Sequence, residues 1–92
     1  RLREAIQVYH NILLIDPDNV GTYFMLAKTK QHVDYDDKIQ AMENLLEDSD
    51  TNDEKKIHLN FALGKAYEDL QMYDEAFAFF LDGNRIKRST LE

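Results

Sequence analysis

Three histidines, His10, His32 and His58, are the side chains here with the chemistry for metal ligation or proton transfer near neutral pH. Their spacing matches no local ligand motif, and the chain has no cysteine to complete one. Ser49, Thr51, Ser89 and Thr90 carry hydroxyls, but they lie in turn or terminal contexts with no base paired to them in sequence. Capping accounts for them better than nucleophilic catalysis. Residues 34 to 54 hold nine acids and one base, Lys38, a local charge of −8. Such a run can dock a basic partner or a cation. It lacks the loop glycine and alternating oxygen ligands of a calcium hand, and charge runs ordinarily form solvated helix faces and caps. Arg85-Ile86-Lys87-Arg88 could touch a phosphate, yet three positive charges also suit a helix C-terminus. No catalytic residues, cofactor site or metal site emerge, and the fragment reads as non-enzymatic.

The whole chain narrows the partners further. Its 92 residues make at most one small domain, with 43% hydrophobic and 32% charged residues, 3 glycines and 1 proline. Long helices are the default reading. A net charge of −7 disfavours nucleic acid and anionic membrane, whose phosphates need a basic surface. The longest apolar runs, Ala76 to Leu81 and Ile12 to Ile15, fall far short of the roughly 20 residues of a membrane helix. Without cysteine a disulfide framework is excluded and a reducing, cytoplasmic setting is allowed. Opening at Arg1 on an already amphipathic segment, the sequence reads as a piece excised from a longer protein.

Five helices are expected to position these side chains. Leu2, Ala5, Ile6, Tyr9, Ile12 and Leu13 recur at helical spacing until Asp16-Pro17 ends the first near Ile15. Asn19 caps a second, with Tyr23, Leu26, Ala27 and Lys30 on one face and Phe24, Lys28 and Gln31 on another. A turn follows at His32 to Asp34, and Asp34 caps a third helix carrying Tyr35, Ile39, Met42, Leu45 and Leu46 to about Asp48. Thr51 with Glu54 fits a capping box for a fourth, Asp53 to Leu70. Gln71-Met72 turns the chain into a fifth, Tyr73 to about Ser89, acidic early and basic late. The short loops predict antiparallel neighbours.

Leu63, Gly64 and Tyr67 share one helix face, as do Ala76, Phe80 and Gly83 on the next, so each helix offers a small residue to bulk on the other. With Lys65, Ala66 and Tyr73 between them, this pattern resembles the tetratricopeptide repeat, a helical hairpin of about 34 residues that stacks into an interaction surface. Leu63 and Gly64 fall on repeat positions seven and eight, so the unit begins at Ile57. Tyr67, Tyr73, Ala76, Phe80 and Gly83 then take positions 11, 17, 20, 24 and 27. Asn60 stands in place of the usual tryptophan, and Arg88 in place of the closing proline. Tyr23, Leu26 and Ala27 match positions four, seven and eight of a divergent unit, offset by 37 residues. Ala5, Tyr9, Leu13 and Pro17 look like the second helix of a truncated one. The resemblance implies 1–17 as that helix, 19–48 as the divergent repeat and 53–90 as the well-matched one, all stacked as a right-handed all-α superhelix.

A finer resemblance covers residues 58–70, Tyr73 to Phe77 and Gly83 to Arg88, which look like the final repeat of bacterial proteins carrying a sulfotransferase domain after their repeats. Their phosphate-cradling glycine-rich loop has no counterpart in these residues. That likeness implies an alternative role, positioning or dimerising a downstream catalytic domain.

In the repeat family the first helix of each unit lines the concave side. Carried over, this places Gly21, Phe24, Lys28 and Gln31, then His58, Phe61, Lys65 and Glu68, along a partner-binding groove. Phe24 with Lys28 and Phe61 with Lys65 repeat an aromatic-plus-lysine stripe suited to a peptide with apolar and some acidic side chains. The phenylalanines also fit a purely structural reading, as core. They replace the lysine of the carboxylate-binding members, which argues against a chaperone-tail clamp. The expected function is non-catalytic binding of a protein or peptide. Homodimerisation through an uncovered face of Leu2, Ile6, Tyr9 and Leu13 is a further expectation.

Overall fold

A computed structural model describes residues 2–31 and 34–90. Among them run five helices and no strand: α1 Leu2–Ile15, α2 Val20–Thr29, α3 Asp37–Glu47, α4 Asp53–Asp69 and α5 Tyr73–Thr90. The chain is therefore all-α. Arg1, His32, Val33, Leu91 and Glu92 lie outside the described residues, and with them most of the turn expected at His32 to Asp34.

The starts of α2, α3 and α4 each have a local chemical cause. Asn19 accepts from the Thr22 backbone N–H and hydroxyl, both at 2.9 Å, and its amide donates to Asp16 at 3.2 Å. Buried Tyr23 donates its hydroxyl to the Pro17 carbonyl at 2.7 Å, which ties the loop to the core. α2 ends at Thr29, two residues short of Gln31, so Gln31 is exposed beyond the helix.

Two caps differ from the sequence expectation. Asp36, not Asp34, caps α3, its carboxylate accepting from the N–H groups of Lys38 and Ile39 at 3.1 and 3.0 Å. A capping oxygen reaches the second and third helical N–H only from the residue just before the helix. Tyr35 accordingly precedes α3 and is exposed instead of lining its apolar face. Asn52, not Thr51, caps α4 by accepting from Lys55 N–H at 2.9 Å. The Thr51 hydroxyl is engaged elsewhere, donating to the Leu45 carbonyl at the end of α3 at 2.6 Å.

The core is organised around α4, which packs on α2, α3 and α5 and buries Leu59, Asn60, Ala62, Leu63, Gly64, Ala66 and Tyr67. Leu26 and Ala27 from α2, Ile39 and Met42 from α3 and Ala76 from α5 complete it. Asn60 is the polar exception on α4, and its amide donates to the Lys56 carbonyl at 2.9 Å, so burial leaves it satisfied. α1 packs on α2 and contributes Leu13, which is buried, while Ile6 and Tyr9 are half-buried. Of the α1 face expected to be uncovered, only Leu2 is freely exposed, because Leu13 faces α2 and the shared core.

α4 closes with Met72 N–H donating to Tyr67 carbonyl and Gln71 N–H to Glu68 carbonyl, both at 2.9 Å. That paired closure requires a left-handed residue, and Gln71 supplies it at φ 63°. The chain reverses there and α5 returns along α4.

Candidate functional site

α2 and α4 lie side by side, and their N-terminal turns share one cleft, so they run in the same direction. Phe24 of α2 meets His58 of α4 edge to face, with ring centroids 4.8 Å apart. This contact joins two expected groove residues that lie 34 positions apart in the chain. The His58 ring is held from behind, its Nδ1 2.9 Å from the Glu54 carbonyl one turn earlier. A carbonyl can only accept, so Nδ1 carries the donating N–H in this contact. Lys28 places its ammonium 5.1 Å from the Phe24 ring centroid, a cation–π contact that holds a positive charge over an aromatic face.

Phe61 and Lys65 are placed differently. Phe61 is half-buried between α4 and α5, 6.3 Å from the Phe80 ring, and its edge meets the surface of Gly83. The equivalent α2 residue, Phe24, has no such partner on α3. Lys65 donates to both carboxylate oxygens of Asp69 at 2.7 and 2.9 Å. Asp69 at the C-terminus of α4 is poorly placed for the helix dipole, and Lys65 offsets that charge. Glu68 and Gln31 are exposed, and no hydrogen bond joins them to the Phe24 and His58 pair. Phe24, Lys28 and His58 are therefore assembled, whereas Phe61 is engaged in the α4/α5 hairpin and Lys65 in an ion pair within α4.

Below His58 the face opens into a cleft of about 540 Å³ lined by Asp16, Asp18, Asn19, Gly21, Glu54 and Lys55. Three of those six carry carboxyl groups and one an ammonium, so the mouth is net acidic. Polarity thus changes along the face, from Lys28 at one end to carboxylates at the other. Sequence reasoning assigned Gly21 to this region and missed the rest, because Asp16 and Asp18 come from the α1–α2 loop and Glu54 from α4. Spacing along one helix cannot reveal that meeting.

No protein-family model matches the chain, and no curated protein or solved structure matches it.

A second polar cluster lies on the other side of α4. Glu43 of α3 accepts from the hydroxyls of Tyr67 and Tyr35, each at 2.5 Å, bridging α3 to α4. Tyr67 stacks on Phe79 at 5.4 Å. Burial first, and then the hydrogen bond to Glu43, push the Tyr67 phenol well above its ordinary range. The Tyr35 phenol is raised chiefly by its own bond to Glu43. The acidic run of residues 34 to 54 is thus partly structural, with Asp36 and Glu43 holding backbone and side chains in place. Among the described residues, no group of three or more His, Asp or Glu is positioned to hold a metal ion. No described helix is long and apolar enough to cross a membrane.

Proposed function

We infer that the chain is a non-catalytic peptide- or protein-binding module, built as stacked helical hairpins in a tetratricopeptide-like right-handed superhelix. The order of packing supports this reading: α1 on α2, α2 on α3 and α4, α3 on α4 and α4 on α5. Each first helix then touches its own partner and the next first helix, as stacked hairpins require. The observation that carries the functional reading is the Phe24–His58 contact at 4.8 Å, which makes one aromatic strip of two helices. A partially exposed aromatic surface with a lysine above it and carboxylates below fits an extended peptide. Such a ligand has an apolar side chain on Phe24 and His58, an acidic group toward Lys28 and a basic group toward Asp16, Asp18 and Glu54. The accessory role, positioning a downstream sulfotransferase-like domain, rests on the likeness of residues 58–88 alone.

The test is a screen of charged-apolar peptides read by amide chemical shifts, followed by titration of Lys28→Glu and Phe24→Ala. Binders should perturb α2 and the first turns of α4, and each substitution should weaken them about tenfold or more with helicity retained. Peptides that map onto α3 or α5 instead would overturn the assignment of this face.

A further inference from the structure

We propose that α5 is a self-association surface, through which two copies of this chain pair antiparallel with Phe77 of each seated beside Leu81 of the other. Among the described elements α5 packs on α4 alone, so the side turned away from α4 meets no other described helix. That side carries Tyr73, Phe77 and Leu81, which are 61%, 66% and 50% exposed. Their spacing of four residues sets them on one continuous ridge. The inward side is separately filled by Ala76 and Gly83, with Phe79, Phe80 and Ile86 partly covered. The ridge flanks that inward side, with Phe77 three residues from Phe80, yet its own side chains remain at least half exposed. Single exposed apolar residues are ordinary, but three large ones in successive turns form a patch that water disfavours.

The charges on α5 select a second copy as the occupant. Asp74 and Glu75 lie in its first turn, Lys87 and Arg88 in its last, and Arg85 is exposed one turn beyond the ridge. An antiparallel copy brings the acidic end of each helix to the basic end of the other, and a two-fold axis makes every such contact twice. With Phe77 opposite Leu81 of the second copy, Tyr73 falls opposite Arg85 and Asp74 beside it. Each apolar ridge then ends in an aromatic–guanidinium contact and an ion pair. In this structure Arg85 reaches only as far as Asp82, at 3.1 Å, an exposed pair that a closer partner can replace. α1 also exposes apolar side chains, Leu2, Val8, Leu14 and Ile15, but it has an acid in its first turn and no base in its last. An antiparallel α1 pair therefore lacks this complementarity. One helix ridge per copy is a small interface, and a net charge of −7 on each chain opposes association, so the dimer is weak and concentration-dependent.

Sedimentation equilibrium of the full chain, from about 20 μM to about 1 mM, tests the pairing in the range expected of so small an interface. The wild type should move from monomer to dimer across that range, while Phe77→Glu and Leu81→Glu stay monomeric with unchanged circular dichroism. Asp74→Arg and Arg85→Asp should each weaken association about tenfold, and the double exchange in one chain should restore it. A wild type that is monomeric throughout overturns the proposal and leaves the ridge to another occupant. A dimer that survives Phe77→Glu and is lost in Val8→Glu overturns it in favour of α1. Charge exchanges that fail to compensate overturn the antiparallel arrangement.

Discussion

Gly64 and Phe80 make the closest helix-to-helix approach at any glycine of the described chain: a Cβ built at residue 64 would lie 2.6 Å from Cε1 of the Phe80 ring. The relationship is reciprocated one turn away, where a Cβ at Gly83 would sit 3.1 Å from both Cβ of Asn60 and Cε1 of Phe61. Each helix of the α4/α5 hairpin thus lends a bare backbone to a ring of the other. The two backbones approach because neither ring meets a side chain there.

Gly64→Ala should lower the melting midpoint. Overpacking against a ring costs about 1 to 3 kcal/mol, while the gain in helix propensity returns at most about 1 kcal/mol. Gly64→Leu should be worse. Adding Phe80→Leu to Gly64→Ala should recover much of the loss, and a rise in midpoint for Gly64→Ala alone would show that the ring moves aside freely.

Tyr67 makes stability fall at alkaline pH. The folded chain keeps this phenolic proton above the point, near pH 10, at which an unfolded tyrosine releases it. Above that pH the unfolded state therefore binds fewer protons, and unfolding becomes easier as pH rises. Tyr67→Phe should flatten the decline in denaturant midpoint between about pH 9 and 11. At pH 7 the same change should cost about 1.5 to 3 kcal/mol through the lost bond to the Glu43 carboxylate. A decline of unchanged steepness would place the alkaline sensitivity elsewhere.

His10 acts at the other end of the scale. Burial lowers its pKa first, followed by the charges of Lys38 and Lys30, with Asp37 and Asp36 opposing them. The unfolded chain then takes up this proton more readily, so stability present above about pH 6.5 is lost as pH falls through that value. Midpoints measured between about pH 7.5 and 5.5 should drop less steeply in His10→Gln. Equal slopes for the two proteins would refute the assignment.

Gln71→Gly should stabilise the chain. A non-glycine residue at φ 63° carries a left-handed penalty of about 1 kcal/mol or a little more, which glycine lacks. Loosening of the unfolded chain offsets part of the gain. A rise of a few degrees in melting midpoint is the expected result; a fall would mean that the Gln71 side chain has a stabilising role of its own.

Five helices and most of their limits were legible in the sequence, because apolar spacing, Pro17 and the capping residues act within a few positions of one another. The Gly64 and Gly83 spacings likewise predicted a close hairpin, since a small residue repeated on a helix face leaves a backbone accessible wherever that face turns inward. The caps misassigned to Asp34 and Thr51 show the limit of such reading. Several polar residues lie near each helix start, and which of them caps depends on where the chain arrives from the preceding helix. Folding alone separated Phe24 from Phe61, two residues with the same local pattern. One remains on the α2/α4 face against His58, while the other is drawn into the hairpin by Gly83. The meeting of Asp16 and Asp18 with Glu54, and of Glu43 with Tyr67, likewise belongs to the tertiary structure. Local periodicity determines which side of a helix is apolar, but only the packing of several helices determines which of those side chains are consumed in the core and which remain to meet a partner.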